Sequence, residues 1–329
     1  MNVAKPITVS ENLGSLRPVG FVLYVFTFVC ALVFLYLFPY VGRDVVNYLS
    51  IMDQIKDNAY FGEPGFIALV KGGQLLGFDN LLIISLMKVG ALVLWLAYIW
   101  RNVKSPIFGL VCFILIPNLL LSISSSVQFM LAVGVVLHSG YFDVYEKPMS
   151  NYRLWTFIIL SSFIHYSCLG FLIIGFIDRK IRLIGFIAAL VVVYLIFSQY
   201  IAQAVEFFGY IKYLDDRFLE ISNIKVVTII VIFAILNLYL VMKNKMPAKL
   251  GYGIWALLGS LAFFIIQFPI GNVALLRTLN LLLPILLCAS VNRLEGKLGL
   301  LVMCLGALLL VANMNNTLAE LAPGSLIGF

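Results

Sequence analysis

Apolar runs of about 18 residues or more recur along the whole chain, and a run of that length is the signature of a helix that crosses a bilayer. The 329 residues are 63% hydrophobic and only 11% charged, whereas an average soluble domain carries about 25% charged residues. A soluble domain is therefore excluded. The candidate spanning segments are Val19–Phe38, Leu81–Trp100, Pro106–Ser122, Val127–Phe142, Leu183–Tyr200, Ile224–Met242, Gly251–Phe268, Val273–Val291 and Leu298–Met314. The residues before the first run are polar and include Pro6, Glu11 and Pro18. That is not the shape of a cleavable signal peptide, so the first helix is expected to be a retained anchor. No linker, internal repeat or low-complexity stretch divides the chain, which reads as one integral membrane domain over residues 1–329.

The net charge of +7 is not a nucleic-acid signal, because the basic residues are spread over short loops, as membrane topology alone demands. Cytoplasmic loops are rich in Lys and Arg. Arg101 and Lys104, then Arg179, Lys180 and Arg182, then Lys243, Lys245 and Lys249, then Arg293 and Lys297 mark four of them. Two longer loops differ. Tyr40–Glu63 and Ile201–Asn223 each hold four acids against two bases, and both are expected on the outer side. Pro64–Phe78 is apolar but short and contains Lys71, Gly72, Gly73 and Gln74. It reads as a helix at the outer interface, or one that dips in and returns.

The five cysteines lie inside apolar runs with no close pair. They read as small hydrophobes, and no metal site or cofactor is expected.

One apolar run, Leu154–Ile177, carries His165 near its centre. An imidazole at membrane depth needs a polar partner or water. The same run breaks the topological count. If the preceding helices alternate, the Asp143–Arg153 loop is cytoplasmic, and the charge of Arg179–Arg182 makes the next loop cytoplasmic too. Two half-helices broken around Ser161–Ser167 satisfy both. A straight helix that overrides the charge rule is the alternative. Irregular backbone at that depth is tolerated only where it is buried in protein or lines a watery cavity. The expected fold is thus all-α, a polytopic membrane bundle of about nine to eleven segments, at least one of them re-entrant or broken.

Few charges approach the membrane, so each is a functional candidate. Arg43, Asp44 and Tyr48 open the first outer loop, and Glu63 closes it. Asp44 could instead be a helix cap, and Glu63 a first-turn dipole partner beside Pro64. Ser122–Ser126 reads as a turn and an N-cap for the helix carrying Gln128. Arg277, with Asn280, follows Pro269 and Gly271. It could snorkel to the surface, or hold a phosphate through its guanidinium fork. His138 reads as interfacial and not catalytic, and Lys88 as a partner for a polar group within the bundle. Together, Asp44, Glu63 and His165 supply possible bases, while Arg43 and Arg277 supply cations for a phosphate leaving group. Glycosyl transfer from a lipid diphosphate needs both parts. With arginines in the second role and no Asp-x-Asp pair, a metal-free mechanism is expected.

These elements resemble, in order, those of the EpsG-like family, which includes Wzy-type O-antigen and exopolysaccharide polymerases. Gly42-Arg43-Asp44 with Tyr48 looks like the family's Gly-x-Asp-Tyr-x-x-Tyr, and Glu63-Pro64-Gly65-Phe66 its Glu-Pro-Gly-Tyr/Phe. Gln128 with Ala132 resembles Arg-Gln-x-x-Ala, and Phe163-Ile-His165-Tyr-Ser167 resembles Phe-His-x-Ser. Arg277 and Asn280 fall where a late Arg is common. Val127 and Val45 depart from the pattern, replacing an Arg and a Tyr. The resemblance implies a polymerase of the bacterial inner membrane that moves a growing glycan from one undecaprenyl diphosphate to a repeat unit on another, at the outer face. It implies a chain-length regulator and a flippase as partners, and a product such as lipopolysaccharide O-antigen, capsule or exopolysaccharide. A lipid-linked glycan flippase and a membrane O-acyltransferase remain competing readings.

Overall fold

A computed structural model describes residues 45–102, 126–143, 150–177, 179–192, 223–242 and 246–267, with isolated helical positions at Val25, Phe28, Val29, Leu282, Ile285 and Cys288. Every regular element among them is helical. The helices are α1 (Val45–Lys56), α2 (Pro64–Leu75), α3 (Asn80–Asn102), α4 (Val127–Leu137), α5 (Asn151–Ile164), α6 (Leu172–Phe176), α7 (180–192), α8 (Asn223–Met242) and α9 (Ala248–Gln267). A 3₁₀ turn, Tyr166–Phe171, joins α5 to α6. The expected segments at 19–38, 106–122, 273–291 and 298–314 lie outside the described residues, as does the end of the one at 183–200.

Among the described residues α3 alone is both long and apolar enough to cross a membrane by itself: 23 residues with a mean hydropathy of 2.2 in its best window. Its start is well defined. Asp79 accepts the Leu82 N–H on Oδ1 at 2.7 Å, an N-cap worth about 1 kcal/mol. The preceding helix, α2, stops because Gly77 enters the left-handed region at φ 80°. Phe78 N–H then reaches back to the Gly73 carbonyl at 3.1 Å, in the manner of a Schellman close. At 12 residues, α2 is about 18 Å long, too short to cross, as its composition implies.

Two apolar clusters organise the packing. In the larger, α3 and α4 run parallel: Trp95 Nε1 donates to Met130 O at 2.9 Å, and Tyr98 OH to Phe142 O at 2.8 Å. The end of α4 does not follow the expected Val127–Phe142 span. Helix α4 closes at Leu137, the chain turns through His138 and Ser139, and Gly140 takes φ 75°. Tyr141 and Phe142 then bury their rings in the cluster rather than extending a helix.

The decisive element is α5. It stops at Ile164, His165 is extended (φ −150°, ψ 116°), and the chain returns through the 3₁₀ turn and α6. The return is antiparallel. Asn151 Nδ2, at the start of α5, donates to Gly175 O in α6 at 2.7 Å, and the Trp155 and Phe176 rings lie 5.1 Å apart. The outward arm of 14 residues is about 21 Å long and the returning arm about 20 Å. This is a helical hairpin, and of the two expectations for Leu154–Ile177 the broken one holds. Both of its ends lie on one side of the bundle.

That side is basic. Arg101 pairs with Asp143 at 2.7 Å. Lys249 donates to Asn151 Oδ1 at 2.6 Å and sits over the Tyr141 ring at 5.0 Å. Arg179, Lys180 and Arg182 directly follow the hairpin. Behind it, α8 and α9 form a tight pair in which Asn237 Nδ2 donates to Gly251 O at 3.0 Å.

Candidate functional site

The hairpin tip lies at the opposite end of α5 from the basic side, and three sequence motifs converge there. The first tie is backbone to backbone. A Cβ added to Gly65 would lie 2.8 Å from Phe163 O, so only glycine permits the first turn of α2 to press on the end of α5. Pro64 at the first helical position sets the entry into that turn, where its missing N–H costs nothing. The pairing carries Glu63, the N-cap residue of α2, to the neighbourhood of His165.

Glu63 makes no side-chain cap. Its Oε2 instead accepts the Tyr60 hydroxyl at 3.0 Å. Burial, then the charge of Glu63, holds the Tyr60 phenol well above its ordinary range, so it stays a donor. From the hairpin, Tyr166 OH donates to Gly62 O at 3.3 Å. The loop before α2 is therefore held from two directions, by its own tyrosine and by the residue after His165.

The second tie supports the break itself. In a continuous helix Cys168 N–H would bond Ile164 O. Here it bonds His165 O at 3.1 Å, which leaves the Ile164 carbonyl without its helical donor. Gln128 Nε2 donates to that carbonyl at 2.5 Å. Gln128 is buried on α4, where an unsatisfied carbonyl would cost about 1–3 kcal/mol. Its amide nitrogen is thus engaged with the hairpin backbone. The next residue, Phe129, meets the His165 ring edge-on at 5.3 Å between centroids. The imidazole is oriented by a further bond, from Ser167 N–H to its Nδ1 at 3.2 Å.

Tyr48 is buried against Phe66, ring centroids 6.1 Å apart, and so joins α1 to α2. Asp44 immediately precedes α1 but, with Arg43, Arg277 and Asn280, lies outside the described residues. His138 is engaged away from this site, its Nε2 2.8 Å from Leu94 O, in keeping with a structural role. Lys88 is fully buried in α3, between Ile84 and Met87 on one side and Ala91 on the other; Ile84 and Met87 share a cluster with Val127. Sequence reasoning passed over Tyr60 and Tyr166. Their only signal was adjacency to Glu63 and His165. Among the described residues no three His, Cys, Asp or Glu side chains are grouped to hold a metal ion.

The model of the EpsG family matches residues 21–322, nearly the whole chain. The chain belongs to the EpsG family. EpsG-like proteins are Wzy-type polymerases, so this EpsG-family chain is a membrane protein of polysaccharide biosynthesis with a polymerase-type, glycosyltransferase-like function. Comparison with curated proteins and with solved structures finds no match.

Proposed function

We propose that this EpsG-family chain polymerises lipid-linked oligosaccharide repeat units, transferring a glycan from one undecaprenyl diphosphate to the repeat unit on another. The observation that carries the reading is the meeting of the hairpin tip, which carries His165, with the loop that carries Glu63. Arg101, Lys249 and the arginines after the hairpin share the other end, and a basic end belongs in the cytoplasm. The site then works at the outer face of the bacterial inner membrane, in a multi-pass domain spanning residues 1–329. With an outward arm of about 21 Å, His165 stands roughly two-thirds of the way across a hydrocarbon core of about 30 Å. Above it, exposed Phe61, Leu75 and Leu76 suit the headgroup boundary, where the diphosphates of both substrates lie.

The chemistry asks for a base on the acceptor hydroxyl and positive charge on the departing diphosphate. Glu63, Asp44 and His165 are the acid–base set, and Arg43 and Arg277 the cations, without a metal ion. Tyr48 and Asn280 belong to the substrate-binding wall, and Gln128 acts by bracing it. A chain-length regulator and a flippase are the partners such a polymerase would work beside.

The test is the glycan made by a strain lacking the chain. Single repeat units on lipid at the outer face, with a ladder restored by the wild-type copy and not by His165→Ala, are expected. Repeat units trapped at the inner face would replace this reading with a flippase. Loss of acyl groups with an intact ladder would replace it with an acyltransferase.

A further inference from the structure

The hydrogen bond at the hairpin tip decides which nitrogen of His165 carries a proton. Ser167 N–H is a donor only, and it points at Nδ1 from 3.2 Å. Nδ1 must therefore present its lone pair. In a neutral ring the proton is then on Nε2, which makes that nitrogen a donor and not an acceptor. The orientation is over-determined. Cys168 N–H holds the His165 carbonyl at 3.1 Å, and His165 N–H holds Ser161 O at 2.8 Å. Phe129 packs against the ring, and Gln128 supports the preceding carbonyl. An imidazole fixed as Nε2–H cannot take a proton at Nε2 without first losing the one it carries. Glu63 has the opposite character. Its carboxylate accepts from the Tyr60 hydroxyl at 3.0 Å through Oε2, and a carboxylate retains further lone pairs on both oxygens.

From this geometry we infer that the two groups divide the reaction: His165 donates through Nε2–H to the diphosphate of the donor substrate, and Glu63 is the base for the acceptor hydroxyl. The inference rests on the polymerase reading above. In the step it describes, the acceptor oxygen forms a bond to the anomeric carbon, and its proton passes to Glu63. The bond from that carbon to the phosphate oxygen breaks, and the electron pair leaves with the diphosphate. The Nε2–H bond strengthens as negative charge collects there, which is the condition for it to accelerate the step. Tyr60 orients the base, and Tyr166, through Gly62, keeps the base loop and the imidazole in register.

Two measurements test it. The chain has two histidines, so ¹⁵N spectra of ¹⁵N-histidine protein are simple, and the His165 signals are those lost in His165→Gln. Nε2 should be protonated and Nδ1 bare at the pH of the activity assay. Reconstituted protein supplied with undecaprenyl-diphosphate repeat units is then compared among variants. In His165→Gln the introduced amide reaches the position of Nε2 and donates, whereas the shorter amide of His165→Asn falls near Nδ1. His165→Gln should keep a rate at least about tenfold above His165→Asn, and Glu63→Gln should lose about 10²–10⁴-fold. A ring protonated on Nδ1 in an active polymerase overturns the division of roles. So does a Glu63→Gln enzyme near wild-type rate beside equally dead Gln and Asn variants of His165. A wild-type chain with an Nε2–H ring that makes no polymer overturns the polymerase reading, and the division of roles with it.

Discussion

Replacing Gly65 with alanine isolates the contact that unites the motifs. The new Cβ would lie 2.8, 2.9 and 3.0 Å from Phe163 O, C and Cβ, where 3.4 Å begins ordinary contact. The obstacle is mostly backbone, which cannot swing aside, so α2 and the hairpin tip must separate by roughly 0.6 Å. Overpacking of this kind costs about 1–3 kcal/mol, which leaves the chain folded. The larger effect is on geometry. Misplacing reacting groups by about 1 Å can cost 10²-fold, so roughly tenfold or more is expected from this shift. Gly72 of the same helix is the control, since a Cβ there meets nothing within 4 Å. Gly72→Ala should be neutral or stabilise α2 by about 0.5–1 kcal/mol, with polymer length and rate unchanged. The assay is the glycan ladder in cells, alongside the thermal midpoint of each purified variant in detergent. A Gly65→Ala protein that polymerises like the wild type at normal abundance would refute the claim that this contact sets Glu63 against His165.

Three further outcomes follow from the same contacts. Gln128→Leu leaves the Ile164 carbonyl without a donor and should cost about 1–3 kcal/mol, read as a lowered midpoint together with faster hydrogen exchange confined to residues around the hairpin tip. Arg101→Ala strips the buried Asp143 of its cation while Asn102 Nδ2 still donates to it at 3.2 Å; because Arg101 is about one-third exposed (34%), a modest loss of about 1–2 kcal/mol is expected, with activity per folded molecule retained. Tyr60 gives a pH dependence. Its phenol is held above the usual value by burial and by Glu63, so below about pH 10 the folded and unfolded chains are both protonated and no dependence arises. Above it the unfolded chain releases the proton first, and stability falls. A midpoint that declines above about pH 10 in the wild type, and less steeply in Tyr60→Phe, is the expected result.

The break in Leu154–Ile177 was legible because two independent constraints met on it. Helix alternation before the segment and the basic Arg179–Arg182 loop after it favoured a return, and an ionisable ring in its middle called for a polar surrounding. The length of α2 was legible for a similar reason, as Gly72, Gly73 and Gln74 cannot sustain a crossing. The end of α4 was not. Val127–Phe142 is apolar throughout, and hydropathy does not distinguish a helix that continues from one that turns at Gly140 to bury Tyr141 and Phe142. The partner of Gln128 was not legible either. A polar residue in an apolar helix signals a polar partner, but whether that partner is substrate or a carbonyl 36 residues away depends on which segments touch.

Local chemistry in the sequence determined what the segments had to be: helical, because hydrocarbon satisfies no backbone group, and basic at one side, because charge crosses the membrane badly; it offered the break near His165 as one of two readings, and the structure chose it. Tertiary structure alone decided that the Glu63 loop and the hairpin tip at His165, about a hundred residues apart in sequence, meet. That proximity rests on one glycine pressed against the Phe163 backbone, and a contact of that kind leaves no periodicity or charge pattern behind. It also decided the proton on His165. The choice between Nδ1 and Nε2 is made by the Ser167 N–H, and that N–H points at the ring only because the helix has stopped.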